Sequence, residues 1–375
     1  MDFRTWLRLA LHYVLNRFSG PHHGLAHAPA RAAGRASARR AARLAGALAL
    51  LAAASLVLGA KATSPKEVLR ALPQAWEILR GNVDAGSTGE VAGILATMRI
   101  PRTVLAIAAG AALGMAGSLV QGLTRNPLAD PGTLGINAGA ALAVAAGIYL
   151  FGITSMQAHL FLAFAGAGLA ALLVFGLSAS GMGSGDTIRL VLAGAALAAV
   201  LASGTAAIVY VDPNALDALR FWQAGSVAGR GFDVILPALV PMAVGTLLAL
   251  ALGPTLNVLG LGAEAAQGLG VHVLRANAVG LVATALLAGA ATAAAGPIGF
   301  VGLVVPHVVR ALTGPDYRWV TPYAGLAGAC LLLSADVFGR VVMRPGELQA
   351  GIVIALVGAP AFVWLVRHRE AVRLS

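Results

Sequence analysis

The chain has 375 residues, of which 58% are hydrophobic and only 11% are charged, and its formal net charge is +11. A water-soluble domain carries about 25% charged residues, so this composition excludes a soluble enzyme and predicts an integral membrane protein. The basic residues lie between and outside the apolar segments, so we attribute the positive charge to membrane topology and partner docking rather than to nucleic-acid binding.

The N-terminal 43 residues contain eight arginines, and the first apolar segment, 44–60, follows them directly. This basic region is too long for a usual signal peptide, and no cleavage site follows the apolar segment. We therefore predict a disordered, basic cytoplasmic tail over residues 1–43 and a membrane domain over 44–370. The Ala/Pro/Gly-rich setting of His22, His23 and His27 does not indicate a metal site, and none is predicted elsewhere.

Long apolar segments without charge account for most of the chain. They are 44–60, 103–124, 131–185, 190–211, 234–263, 276–309, 319–335 and 348–366. About 20 apolar residues span a bilayer as a helix. Because these segments are continuous rather than alternating in hydropathy, they predict membrane helices and not a β-barrel.

Two of these segments are long enough for two helices each. Segment 131–185 has a turn-like centre at 152–155, and 276–309 is interrupted at Gly296-Pro297, with a second interruption expected at Pro306. The predicted fold is therefore an all-α, polytopic transmembrane bundle of about ten spans. The spans are 44–60, 103–122, 133–150, 157–178, 188–209, 234–253, 276–294, 297–311, 320–339 and 350–366.

The basic residues at the two chain ends predict that both termini are cytoplasmic, which requires an even number of spans. With this topology, five of the Lys and Arg residues lie in internal cytoplasmic loops and ten lie in outer segments. The outer face is therefore basic, against the usual rule. Two explanations stay open at this point: docking of an acidic partner, or anchoring of helix ends at lipid headgroups.

No motif for covalent chemistry is present in the sequence. There is no phosphate-binding G-x-x-x-x-G-K-[ST] loop, so any ATP that drives this protein binds to another chain. His159, His307 and Asp336 are the only candidates for a buried proton relay, and all three lie near predicted span ends. These features disfavour a membrane enzyme and a stand-alone secondary transporter or channel, which remain the competing hypotheses.

Several motifs are specific to one family. Residues 99–102 read R-I-P-R, 126–135 read N-P-L-A-D-P-G-T-L-G, 296–307 read G-P-I-G-F-V-G-L-V-V-P-H, and 331–340 read L-L-L-S-A-D-V-F-G-R. In this order they resemble the FecCD-type permeases of ABC importers for ferric siderophores, haem and cobalamin, and the resemblance covers about residues 44–370.

The resemblance implies a permease subunit of an ATP-driven importer in the bacterial inner membrane. It implies a homodimer with the transport path between the subunits, and alternating access along that path. Two separate subunits would bind ATP and Mg²⁺, this chain would hold no cofactor, and a periplasmic or lipoprotein substrate-binding protein would dock outside. Family frequency ranks ferric siderophore first as cargo, haem second and cobalamin third.

The resemblance also implies which residues meet the binding protein. Arg99, Arg102 and Arg340 match family arginines that receive glutamates of that protein, which favours docking as the reason for the basic outer face. A planar guanidinium suits this role because its N–H groups match a carboxylate. One departure from the family is Gln349, which stands where a proline is usual and affects the start of the last helix.

At the opposite membrane face, residues 262–271 resemble the helix that couples the permease to the ATPase. Glu264 and Gly270 are the residues expected to contact the ATPase. Residues after the second span border the cytoplasmic gate in the family, and Asn126 and Leu128 are the expected gate residues here.

Overall fold

The computed structural model describes residues 30–179 and 187–373, and within these ranges the chain is helical and contains no strand. The all-α prediction is confirmed. The helices are α1 (Ala30–Val57), α2 (Pro65–Leu79), α3 (Glu90–Ile94), α4 (Ile100–Leu123), α5 (Ile136–Phe151), α6 (Met156–Ala179), α7 (Thr187–Val211), α8 (Pro213–Gln223), α9 (Phe232–Ala251), α10 (Gly253–Leu259), α11 (Ala263–Gly268), α12 (Val273–Ala295), α13 (Val301–Thr313), α14 (Tyr317–Val342) and α15 (Ala350–Arg373).

Apolar helices occupy each of the ten predicted spans. Seven helical stretches in the described residues are long and apolar enough to cross a membrane, and three shorter apolar helices accompany them. The seven lie at Arg39–Val57, Glu90–Leu123, Met156–Leu177, Val191–Val211, Phe232–Ala251, Val273–Ala295 and Tyr317–Val342. The three are Ile136–Phe151, Val301–Thr313 and Ala350–Val363. The polytopic bundle is therefore confirmed.

The first helix begins earlier than the sequence suggested. α1 starts at Ala30, so the prediction of a disordered tail is wrong for residues 30–43. Alanine and arginine dominate this stretch, and both are strong helix formers. Residues 1–29, with the three histidines, lie outside the described residues. The chain divides between Arg43 and Leu44 into two units, and the rest of the description concerns the second.

Glycines allow α4 to pack closely against α14. A Cβ atom on Gly110 would lie 2.5 Å from the carbonyl oxygen of Gly328, and one on Gly114 would overlap the carbonyl of Ala324. Small residues permit such backbone contact between membrane helices. As a result, α4 is largely buried within the unit, whereas most residues of the apolar stretch Val191–Val211 of α7 are not buried.

Three breaks in the helices meet at one junction. The predicted break at Gly296-Pro297 is confirmed, because α12 ends at Ala295 and α13 begins at Val301. Ser226, which follows α8, donates its backbone N–H to the carbonyl of Ala295 at 2.8 Å. Gly351, near the start of α15, donates to the carbonyl of Gly225 at 2.9 Å. Backbone groups freed by each break are thus bonded to another break, as a lipid environment requires.

Pro306 does not interrupt α13, and the expected second break is wrong. A proline inside a helix lacks the N–H that would bond to the carbonyl four residues earlier, here that of Gly302. The side-chain amide of Gln121 replaces it, donating from Nε2 to the carbonyls of Gly302 at 3.0 Å and Leu303 at 3.1 Å. This bond from α4 preserves the helix around the proline.

Gly110→Ala should destabilise the protein, because the added methyl group forces α4 away from α14. Overpacking of this kind costs about 1–3 kcal/mol. Gly168→Ala on α6 is the matched control, since a Cβ atom there meets nothing within 4 Å. Thermal unfolding of the purified protein in detergent measures both. Equal midpoints for the two variants would contradict the close packing of α4.

Gln121→Met keeps the length of the side chain and removes its amide. The carbonyl of Gly302 then loses its donor in a buried site, which costs about 1–3 kcal/mol. Gln74→Met, on the exposed face of α2, is the control. We expect a lower unfolding midpoint for Gln121→Met alone. If Gln121→Met unfolds at the same midpoint as the unsubstituted protein, the helix around Pro306 needs no replacement donor.

Candidate docking and coupling sites

The structure brings the three predicted docking arginines together at one end of the bundle, which we call the arginine end. Arg99 closes the π-helical turn Leu95–Arg99 that precedes α4, Arg102 lies in the first turn of α4, and Arg340 lies near the end of α14. All three are buried, with exposures of 4%, 8% and 2%. They do not lie on the surface, where a docking role would place them.

The carboxylate of Asp336 holds two of these arginines. Arg102 donates from Nε to Oδ1 at 2.9 Å and from Nη2 to Oδ1 at 2.7 Å. Arg340, one helical turn beyond Asp336, pairs from Nη2 with Oδ2 at 2.9 Å. Asp336 is itself completely buried. An unpaired charge at such a site would be strongly destabilising, so the aspartate and the two arginines stabilise one another.

Arg99 and Arg340 also cap the C-terminal end of α1, whose last carbonyls have no partner within the helix. Arg340 donates from Nη1 to the carbonyl of Ser55 at 3.1 Å. Arg99 donates from Nη1 to the carbonyls of Leu56 at 2.7 Å and Val57 at 3.0 Å. Cations at a helix C-terminus also complement its dipole. The two buried arginines therefore have a structural role that the sequence did not reveal.

Arg102 has one further partner, and it is accessible. Its Nη1 donates to Oε2 of Glu347 at 2.6 Å. Glu347 lies between α14 and α15, and 35% of its side chain is exposed. Among the three arginines, Arg102 therefore has the contact that solvent and a partner protein can reach most directly.

Exposed cations surround this cluster. α2 packs its buried residues Val68, Ala71 and Ala75 against the helices before α4. Its opposite face is exposed and includes Lys66 and Arg70. Arg344 is exposed on the connection after α14, and its Nε donates to the carbonyl of Gly59 at 3.0 Å. Arg80 is also exposed, after α2, and it pairs with Glu77. The exposed carboxylates Glu67, Asp84 and Glu90 lie on the same stretch of chain, so the surface above the buried cluster carries both signs of charge.

The predicted coupling residues lie at the opposite end of the bundle. Residues 263–268 form the short helix α11, so the predicted helix is present. Glu264 and Gly270 are both exposed, and only Ala266 within α11 is buried. Gly270 has a φ of +84°, which favours glycine at this position. The segment is thus a surface feature with one side chain anchored in the bundle.

The predicted gate residues lie beside this segment. Oδ1 of Asn126 accepts a hydrogen bond from the backbone N–H of Leu128 at 2.9 Å, which forms a tight turn after α4. Leu128 is 44% exposed. A cavity of about 310 Å³ lies between this turn and the loop before α11. It is lined by Gln121, Gly122, Arg125, Pro127, Gly260, Arg310 and Tyr317.

The start of α14 borders the same region. Asp316 caps this helix, accepting from the backbone N–H of Arg318 at 2.9 Å. Hydrogen bonds from the Arg318 side chain lower the pKa of Asp316 to about 2. The carboxylate therefore stays ionised at any physiological pH, and it also accepts from Nδ2 of Asn257 at 2.6 Å, which ties α10 to α14.

Sequence reasoning did not assign Asp336 and Glu347 to this site. Asp336 was considered only as a proton relay, although its spacing of four residues from Arg340 places both charges on one helix face. That spacing, inside an apolar segment, is the signal that identifies the pair. Glu347 begins the segment 347–351 in which the family has its usual proline, but that resemblance gave no role to the glutamate.

Comparison with known proteins agrees with the motifs. The model of the FecCD transport family matches residues 47–368. The chain belongs to the FecCD transport family. It is therefore a multi-pass membrane permease, located in the bacterial inner membrane.

Relatives and a solved structure match most of the chain. The chain is 45% identical to the ferric enterobactin transport system permease protein FepD of Escherichia coli over 322 residues, 86% of this chain and 93% of that protein. It is 41% identical to the hemin transport system permease protein HmuU of Yersinia pestis over 279 residues, 73% and 83% of the two chains. A structure of an inward-facing metal-chelate type ABC transporter shares 27% identity at a TM-score of 0.73, covering 87% of this chain and 97% of that one.

Asp336→Asn should destabilise the FecCD-family bundle strongly, because it leaves the buried Arg340 without a carboxylate and leaves Arg102 with Glu347 alone. Breaking a buried ion pair from one side costs about 3–5 kcal/mol. The control is Asp217→Asn, which removes one partner of an exposed pair with Arg220 and should cost less than about 1 kcal/mol. Thermal unfolding in detergent compares the two. Similar shifts would show that the cluster contributes little to stability.

Proposed function

We propose that this chain is the transmembrane permease of an ATP-driven importer that carries a ferric siderophore, or haem, inward across the inner membrane. Two copies would form the transport path between them and alternate its access, while two separate subunits hydrolyse ATP. The observation that carries the proposal is the 45% identity to a ferric enterobactin permease over 322 residues. The similarity to a haemin permease supports haem as the second cargo.

The arginine end would face outward and receive the substrate-binding protein. Two features support this orientation: the three buried arginines that the family motifs mark, and the accessible contact of Arg102 with Glu347. A guanidinium at an accessible contact can receive a carboxylate of the partner. Arg102 would meet the partner's carboxylate, and Arg99 and Arg340 would hold the neighbouring helix ends in place.

The opposite end would contact the ATPase subunits. Glu264 and Gly270 are exposed on a segment attached to the bundle through Ala266, which suits a contact that transmits movement. Pro127, between Asn126 and Leu128, lines a cavity together with Gly260, which precedes the coupling segment, so a displacement of that segment would reach the gate over a short distance. This arrangement connects ATP hydrolysis on the partner to opening of the inner gate.

A stand-alone secondary transporter requires an ionisable group inside the bundle that gains and loses a proton. Asp336 is buried, but both of its oxygens are bonded to guanidiniums and it serves the arginine cluster. This pairing favours the ATP-driven mechanism over a proton-coupled one.

The test is uptake into proteoliposomes that contain this permease, its ATPase and its binding protein. The binding protein is loaded in turn with ferric enterobactin, haemin or cobalamin. We expect ATP-dependent accumulation of ferric enterobactin, with haemin the next best cargo, and no accumulation when ATP is replaced by a non-hydrolysable analogue.

Cobalamin uptake alone would overturn the assignment of an iron chelate. Accumulation without ATP, driven by a proton gradient, would overturn the ATP-driven mechanism. Stimulation of ATP hydrolysis by the loaded binding protein in the same vesicles checks that the complex is assembled.

A further inference from the structure

Two carboxylates bind Arg102, and they differ in accessibility. Asp336 binds Nε and Nη2 and is completely buried. Glu347 binds only Nη1, at 2.6 Å, and 35% of its side chain is exposed. One carboxylate therefore fixes the position of the guanidinium from inside, while the other covers the N–H groups that face outward.

We infer that Glu347 is an internal substitute for the partner's carboxylate. It covers Arg102 while the arginine end is unoccupied, and an acidic group of the docking protein displaces it. The inference rests on the docking role proposed for Arg102 and adds the residue that competes for it.

Displacement of Glu347 requires little rearrangement. The backbone beside it is held, because the N–H of Leu348 donates to the carbonyl of Gly339 at 3.1 Å, so rotation of the side chain is enough. Asp336 keeps its bonds to Arg102 and Arg340 throughout. One carboxylate replaces another on Nη1, so no buried charge is left unpaired at the end of the exchange.

This exchange makes docking selective. A partner with a carboxylate at this position restores the bond to Arg102, whereas a partner without one leaves the guanidinium uncovered after Glu347 has moved. Selectivity of this kind arises from the penalty on the wrong partner as much as from attraction to the right one. It also weakens binding of the correct partner, because that partner must displace Glu347.

The test measures binding of the purified substrate-binding protein of the same transport system to the full permease–ATPase complex in lipid nanodiscs. The variants are Glu347→Gln, Arg102→Lys and Glu90→Gln. Glu90 is the matched control, because it is an exposed carboxylate at the same end that pairs with the Lys61 side chain rather than with Arg102. Its removal reports the general effect of deleting one negative charge from the docking surface.

We expect Glu347→Gln to lower the Kd about fivefold relative to Glu90→Gln, the scale of an exposed ion pair of about 1 kcal/mol. Arg102→Lys should raise the Kd, because lysine keeps the charge and loses the planar fork of donors.

Two results would overturn the inference. If Arg102→Lys weakens binding and Glu347→Gln has no more effect than Glu90→Gln, Arg102 docks the partner but Glu347 does not compete for it. If neither Arg102→Lys nor Glu347→Gln changes the Kd, the docking role of Arg102 fails together with the inference.

Discussion

The carboxylate of Asp336 is the interaction on which the arginine end depends. It bonds to Arg102 at the start of α4 and to Arg340 in the last turns of α14, and Arg340 in turn caps α1. Three helices are therefore fixed through one buried anion. Removing that anion would leave the buried Arg340 without a counter-charge and Arg102 with Glu347 alone, so the buried ion pairs depend on one another.

Much of the fold follows from sequence because lipid imposes simple rules. Continuous apolar segments must be helical, and helix breaks need other backbone groups nearby. These rules predicted all ten apolar helices and the break at Gly296, whereas the helix at 263–268 was expected from the family resemblance. The family motifs also identified Arg99, Arg102 and Arg340 as one group. These residues lie far apart in the chain, and the fold brings them together.

The errors arise from tertiary contacts that no local pattern encodes. Pro306 was expected to break its helix, but a glutamine on α4 supplies the missing donor. Three arginines were assigned to docking from the family motifs, and no local pattern showed that carbonyls at the end of α1 and the carboxylate of Asp336 would hold them inside. α8 was missed because its 11 residues are too short and too polar to be recognised as a span.

One helix joins the two functional ends of the unit. α4 carries Arg102 in its first turn and Gln121 in its last, and at about 1.5 Å per residue their Cα atoms are separated by about 29 Å along the axis. The α-helical backbone resists stretching, so an axial shift of Arg102 would reach Gln121 with nearly the same size. Gln121 bonds the first turn of α13, so that helix would follow, and the two ends of the unit would be coupled without any change in secondary structure.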